Sequence, residues 1–218
     1  MENPLQQYSA ESEKETGRIE AFSDGVFSIA ITLLVLDIHV PTTQQADVTG
    51  LLSQLLNLWP NLLAFVASFF FILVMWINHH RLFTVIRRND NNLLLLNGLL
   101  LFGVILVPFP TALVAEYIQH RDEAIAVMIY TGWFLMIAIF FNLLWRYAAH
   151  NNRLFTEKTD RQLATSITRQ YSFGIPLYIG ALLVAVFSPL LSIIISIVLA
   201  IFFALPSKGI AQLIASEK

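Results

Sequence analysis

The chain has 218 residues, of which 56% are hydrophobic and 13% are charged, with a formal net charge of −2. Runs of about 20 apolar residues recur, and the apolar share exceeds that of soluble domains, so we expect an all-α integral membrane protein in a lipid bilayer. The small net charge gives no support for nucleic-acid binding. The absence of cysteine excludes disulfides, thiolate metal sites and cysteine nucleophiles.

The first segment, residues 1–17, is polar and acidic, with no basic segment leading into an apolar core as in a signal peptide. Its acidic residues are Glu2, Glu11, Glu13 and Glu15. We expect a flexible or loosely helical cytoplasmic tail.

The first predicted span, residues 18–38, is about one bilayer thick as a helix, since each residue adds about 1.5 Å. It carries Asp24 within an otherwise apolar run. An ionisable group at that depth costs a few kcal/mol unless it faces protein or water. We therefore expect this helix to lie within a bundle, with Asp24 turned toward partners.

Two stripes run along this helix at 100° per residue. One consists of Phe22, Gly25, Ile29, Thr32, Leu33 and Leu36, and the other of Asp24, Ser28, Ile31 and Val35. Both stripes could simply be packing surfaces, because small residues allow helices to approach closely.

Further spans are predicted at 59–82, 92–114 and 124–147, separated by loop 39–56, a short outer loop and the polar linker 148–169. Pro60 suits the first turn of its helix, and Pro108 and Pro110 should kink the far end of the third span. Residues 170–205 are long enough for two spans, with Ser188-Pro189 as the turn. The resulting domain is a six-helix transmembrane unit over 18–206, followed by a cytoplasmic tail over 207–218.

The basic residues set the expected orientation. With the N-terminus inside, Arg121 alone of the 13 Lys and Arg lies in an outer segment. Six spans therefore place both termini in the cytoplasm. Trp59 and Trp76 fall near the two ends of the second span, where interfacial aromatic belts occur.

Antiparallel spans bring several polar residues to one layer near the inner leaflet. They are Ser23, Asp24, Asn78, His79, His80 and Asn97. Our hypothesis is that charge-assisted hydrogen bonds tie Ser23 and Asp24 to the others and lock the rotation of the first helix. Alternatively, His79 or His80 extends to the headgroups. Two adjacent histidines on a helix point about 100° apart, which argues against a metal site.

The segment Arg18-x-x-x-Phe22-Ser23-Asp24, followed by GVFSIAITLLVLDI, resembles the first helix of prokaryotic relatives of lysosomal transmembrane protein 175. The likeness extends over six spans and a similar length. It implies a potassium-permeable cation channel of four identical subunits in the prokaryotic plasma membrane. It also implies that the first helix lines a central pore, without a resident cofactor.

The resemblance assigns the narrow point of the pore to Ile29, Leu33 and Leu36, with Thr32 as a nearby hydroxyl layer. Arg18, Phe22, Ser23 and Asp24 would hold helices together behind the pore. The matching of His79, His80 and Asn97 to such a network rests on fewer shared residues.

The residues agree with this interpretation. No T-x-G-Y-G filter is present, so carbonyl-ring selectivity is not expected, and stacked apolar rings can gate by dewetting. Weak selectivity among monovalent cations follows. Asp37 could attract cations at the outer mouth, or could be an ordinary residue at a helix end.

Other functions remain open on the sequence alone. Asp24 with His79 or His80 could form a relay in a proton-coupled transporter or a proton leak, although helices broken by Gly or Pro in the manner of carriers are not evident. An intramembrane enzyme has little support, since H-E-x-x-H and G-x-S-x-G are absent. A purely structural protein would leave the intramembrane Asp24 unexplained.

Overall fold

A computed structural model describes residues 4–43, 50–155 and 161–205, and these segments are helical without any strand. The predicted tail at 207–218 lies outside the described residues. The helices in chain order are α1 (Pro4–Leu33), α2 (Leu51–Asn57), α3 (Trp59–Val85), α4 (Asn91–Ile105), α5 (Pro108–Tyr117), α6 (Glu123–Ala149), α7 (Arg161–Ala185) and α8 (Pro189–Ala204). Short 3₁₀ helices follow α1 at Leu34–Asp37 and α6 at His150–Asn152. The all-α prediction is therefore correct.

Four segments within the described part of the chain are long and apolar enough to cross a membrane. They are Thr16–Asp37, Trp59–Val85, Asn91–Tyr117 and Glu123–Ala149, each close to a predicted span. The stretch predicted to hold two more spans forms α7 and α8, and Ser188 begins α8 by accepting a hydrogen bond from the Leu191 amide at 3.4 Å. α8 is apolar but shorter than the four segments above.

The third span is kinked at its far end, as expected. α4 ends at Ile105, Leu106 and Val107 keep right-handed helical angles, and α5 begins at Pro108 within the same apolar span. Proline has no N–H to donate and suits the first turn of a helix, so the chain restarts there. The loop at 39–56 is not wholly irregular, since α2 begins within it.

Helix α6 lies at the centre of the bundle and packs against α4, α5, α7 and α8. In contrast, α1 lies at the edge, where it packs against α3 and α4. One face of α1, marked by Ile19, Phe27 and Ala30, is buried against these two helices, and Leu34 of the 3₁₀ helix continues it. Its opposite face is left open.

The turn between α3 and α4 is attached to the segment after α6. The amides of Arg87 and Arg88 donate to the Leu154 carbonyl at 3.0 and 3.2 Å. Asp90 caps α4 by accepting from the Leu93 amide at 2.9 Å, accepts from the Tyr147 hydroxyl at 2.7 Å, and pairs with Arg153 at 3.2 Å. These contacts fix the start of α4 relative to α6.

Replacing Asp90 by alanine should lower the melting temperature in detergent by roughly 1–8 °C. The loss of a capping side chain costs about 0.5–2 kcal/mol, and each kcal/mol shifts a chain of this size by about 2–4 °C. The matched control is Asp122→Ala, because Asp122 begins α6 without a side-chain capping bond. Equal shifts for the two variants would contradict the capping role.

The same carboxylate should make stability depend on pH. Partial burial raises the pKa of Asp90. The Tyr147 hydroxyl, the Leu93 amide and Arg153 together lower the pKa by more than burial raises it, so the pKa lies below the usual 3.8. A lowered pKa in the folded state stabilises the protein above the unfolded-state pKa, and this contribution is lost as pH falls through the folded-state pKa. Asp90→Asn should therefore be less stable than the parent at pH 7, with the difference shrinking below about pH 4. Melting curves across that range test this expectation.

Candidate functional site on the first helix

The stripe predicted to line a pore lies on the open face of α1. Within the single chain, Phe22 is 67% exposed, Ile29 57%, Leu33 38% and Leu36 67%. Thr32 is also exposed, and its hydroxyl donates to the Ile29 carbonyl at 2.9 Å, which leaves the oxygen able to accept. An apolar strip of this length needs lipid, another protein chain or a confined water path beside it.

The buried face of α1 carries a polar network. The Ser23 hydroxyl donates to the Ile19 carbonyl at 2.8 Å and accepts from the Asn97 side-chain amide at 3.0 Å. The Asn97 oxygen lies 2.9 Å from Nε2 of His79. All three side chains are at most 3% exposed. This network joins α1, α3 and α4 at one level, and each member is satisfied by the next.

Aromatic rings hold the imidazole of His79 in place. Phe83 stacks on it with ring centroids 4.5 Å apart, and Phe27 of α1 packs at a tilt at 5.4 Å. Because the Asn97 oxygen accepts, Nε2 of His79 is the donor in their hydrogen bond. The packing and the hydrogen bond together fix the ring orientation.

Asp24 has a different partner from the one that the hypothesis gave it. Its Oδ1 accepts from Nε1 of Trp76 at 2.8 Å, and His80 stacks on Trp76 with centroids 6.1 Å apart. Ser23 and Asp24 therefore make two separate contacts, Ser23 with Asn97 and Asp24 with Trp76, because adjacent residues on a helix point about 100° apart. Asn78 also differs from expectation, since its amide donates to the carbonyls of Val74 and Phe203.

Trp76 is a site residue that the sequence analysis missed, since we expected an interfacial role. Two signals were available. Trp76 lies one helical turn before His80, on the same face of α3, and its indole is a donor that suits an intramembrane carboxylate.

Arg18 does not contact the network. Its side chain is exposed and lines a cleft between the middle of α1 and the N-terminal end of α4. Among the residues that the structure describes, no hydrogen-bond or ion-pair partner of Arg18 is present.

At the other end, Asp37 closes the 3₁₀ helix that extends α1. Its backbone carbonyl accepts from the Asn61 side chain at 3.3 Å and lies 3.1 Å from Nδ1 of His39. One carboxylate oxygen, Oδ2, is buried without a hydrogen-bond partner in the described part of the chain. The Asn61 contact anchors the C-terminal end of the open stripe to α3.

Within residues 4–43, 50–155 and 161–205, no cluster of three or more His, Asp or Glu side chains is arranged to hold a metal. The candidate site thus consists of the apolar open face of α1 and two polar contacts behind it. One is the buried Ser23–Asn97–His79 network, and the other is the exposed Asp24–Trp76 hydrogen bond. This geometry positions α1 relative to α3 and α4.

Comparison with known proteins identifies the family to which the chain is similar. Residues 18–108 match the family described as Endosomal/lysosomal potassium channel TMEM175. A potassium channel from Chamaesiphon minutus is 54% identical over 92% of this chain and 98% of its own length. A potassium channel from Streptomyces collinus is 40% identical over 76% of this chain and 82% of its own.

A solved structure agrees with the sequence comparisons. The crystal structure of a lysosomal potassium-selective channel TMEM175 homolog from Chamaesiphon minutus is 52% identical, with a TM-score of 0.81. The match covers 88% of this chain and 97% of that one. The resemblance read from the first helix is therefore confirmed, and the chain belongs to the TMEM175 potassium channel family.

Proposed function

We propose that this protein is a potassium-permeable, weakly selective cation channel, formed by four copies around a central axis in the prokaryotic plasma membrane. The observation that carries the proposal is the open apolar stripe of α1, which lies opposite the buried network. In this arrangement the stripe surrounds the ion path, with Ile29, Leu33 and Leu36 as successive constrictions. The closely related potassium channels support the choice of ion.

Weak selectivity follows from the chemistry of the stripe. Aliphatic side chains cannot replace the hydration shell of an ion, so cations pass largely hydrated or in brief contact with hydroxyl groups. Thr32 carries the hydroxyl group on this face, and its oxygen can coordinate a passing cation. Asp37, at the outer end of the stripe, would raise the local cation concentration there.

The need for several subunits follows from enclosure. One helix face cannot surround a water path, so several copies must contribute α1, and four is the number that the family resemblance implies. Each subunit would span the bilayer six times, with α7 and α8 as the last two spans and both termini in the cytoplasm. This topology keeps almost all Lys and Arg on the inner side.

Planar-bilayer recording with potassium and sodium on opposite sides tests the proposal. We expect unitary current steps and a reversal potential that shows a modest preference for potassium. Mass measurement in detergent should give four subunits. Slow, saturable flux without unitary steps would contradict a channel.

The contacts of Asp24 argue against a proton relay through this residue. Its partner Trp76 carries an indole N–H, which can donate but cannot pass a proton onward, and His79 is enclosed by Asn97 and two phenylalanines. Asp24→Asn keeps an oxygen that accepts from Trp76, so we expect potassium current close to that of the parent. Loss of all ion flux in Asp24→Asn, in an assembly of unchanged size, would favour the relay.

A further inference from the structure

A cavity of about 50 Å³ lies inside the bundle, where α3, α6, α7 and α8 meet. None of the described residues that line it belongs to α1, so the cavity is separate from the proposed ion path. Its wall is buried within the single chain except at Val74 and Ala138, which are half-buried. The cavity therefore does not depend on which outer surfaces face lipid or another copy of the chain.

Stacked aromatic rings form a large part of the cavity wall. Phe71 stacks on Phe134 with ring centroids 4.4 Å apart. Tyr171 stacks on Phe141 at 6.2 Å and on Phe203 at 6.4 Å. Because each ring is packed against another, the wall cannot easily collapse into the space. The ring faces suit the alkyl part of a ligand.

One end of the cavity carries a hydrogen-bond acceptor that the chain leaves unused. Nδ2 of Asn78 donates to the carbonyls of Val74 and Phe203 at 2.9 and 3.0 Å, which fixes the orientation of the amide. Oδ1 of Asn78 has no hydrogen-bond partner among the described residues. In the same part of the chain, the one buried side-chain N or O atom that is enclosed without a partner is Oδ2 of Asp37. Oδ1 of Asn78 therefore borders open space, and the space that Asn78 lines is this cavity.

A second polar group lies toward the other end of the cavity. The Tyr178 hydroxyl also has no hydrogen-bond partner in the described part of the chain. Tyr178 lies two turns of α7 beyond Tyr171, or about 10 Å. Tyr171 in turn stacks on Phe203, the residue whose carbonyl accepts from Asn78. The hydroxyl of a compact ligand can therefore reach only one of these two polar groups.

The volume of the cavity limits the size of a ligand. A water-sized group takes about 10–15 Å³ of such a space, so a cavity of about 50 Å³ admits roughly four heavy atoms. Water molecules can donate to Asn78, but further waters would lie against ring faces that offer them few hydrogen bonds. A small alcohol meets both demands, because its hydroxyl supplies a donor and its alkyl part covers the rings.

We propose that this cavity binds a small neutral alcohol of the size of 2-propanol. The hydroxyl donates to Oδ1 of Asn78, and the methyl groups lie against Phe141 and Phe203. A charged amine is a poor alternative, because no carboxylate of the described residues lines the cavity to compensate its charge. The inference does not depend on the proposed channel function.

Saturation-transfer NMR of the detergent-solubilised protein tests the proposal, with 2-propanol and acetone titrated separately. The two molecules have the same number of heavy atoms, but acetone only accepts hydrogen bonds and leaves Oδ1 of Asn78 unpaired. We expect saturable millimolar binding of 2-propanol and about fivefold weaker binding of acetone. Equal binding of the two molecules, or a signal that rises linearly as in detergent alone, would overturn the proposal. Cyclohexanol exceeds the volume and should bind at least about tenfold more weakly than 2-propanol; equally tight binding of cyclohexanol would also overturn the proposal.

Variants of the wall locate the ligand. Ala138→Leu extends a wall residue into the cavity and should abolish the saturable signal. The matched control is Ala124→Leu, because Ala124 is half-buried on the same helix but outside the cavity. Equal binding by the parent and Ala138→Leu would contradict a site in this cavity. If Ala138→Leu does not fold, Ala200→Val narrows the cavity from α8 and should weaken the binding of 2-propanol.

Tyr178→Phe separates the two polar groups. The substitution removes the hydroxyl of Tyr178 and keeps the ring, so the preference for 2-propanol over acetone should persist. Loss of that preference in Tyr178→Phe would overturn the assignment of the ligand hydroxyl to Asn78. Tyr117→Phe is the matched control, because Tyr117 is half-buried and lies outside the cavity.

Discussion

Replacing Leu33 by asparagine should raise the basal potassium current severalfold. Leu33 lies on the open stripe one helical turn from Ile29, so four copies would place an apolar ring across the proposed path. An apolar constriction excludes ions because water leaves it, and a ring of amides stabilises water and offers oxygens to a passing cation. Macroscopic current in vesicles and single-channel open probability both report the change. Ile29→Asn should act in the same direction.

The control for Leu33→Asn is the same substitution at Leu183. Leu183 is 61% exposed on α7, a helix that is not among the main packing partners of α1. An asparagine at Leu183 carries the same cost of a polar group at an apolar surface but lies away from the proposed axis. Equal currents for the parent, Leu33→Asn and Ile29→Asn would show that the stripe does not form the constriction.

Asn97→Leu should destabilise the fold more strongly than Asp90→Ala. Leucine is similar in size to asparagine, but it leaves Nε2 of His79 buried without an acceptor and takes a donor away from Ser23. A buried polar group without a partner costs about 1–3 kcal/mol. We expect a fall of roughly 3–10 °C in melting temperature. We also expect partial dissociation of the subunits in detergent, because Asn97 links α1, the proposed pore helix, to α3 and α4.

The matched control is Asn92→Leu on the same helix. The Asn92 side chain donates to the Tyr147 hydroxyl at 3.1 Å, but at an exposed position where water can replace the bond. A small effect at Asn92 with a large effect at Asn97 assigns the loss to the buried network. Similar melting temperatures for the two variants would mean that the network does not position α1.

The spans were predictable because crossing a bilayer requires only length and apolar composition. The stretch from Arg18 reads as one span from its sequence, and so does the stretch around Trp76. The open stripe of α1 was also predictable, since Phe22, Ile29 and Leu36 repeat at helical spacing whatever lies beside them. The family resemblance came from the same stretch, because its motif falls within a single helix.

The form of the kink between α4 and α5 was harder to predict than its presence. Pro108 and Pro110 both disfavour a continuous helix, but a proline within a span can kink a helix or start a new one. The structure ends α4 at Ile105 and starts α5 at Pro108. The choice depends on packing against α3 and α6, which a single segment does not specify.

The partners of the polar residues were decided only by the tertiary structure. The sequence by itself determined that α1 is an amphipathic membrane helix carrying a carboxylate that needs a partner. Packing decided that Ser23 faces Asn97 and His79 while Asp24 turns to Trp76. The periodicity of a helix fixes the angles between its own residues, but its rotation against its neighbours depends on how the side chains of α1, α3 and α4 fit together.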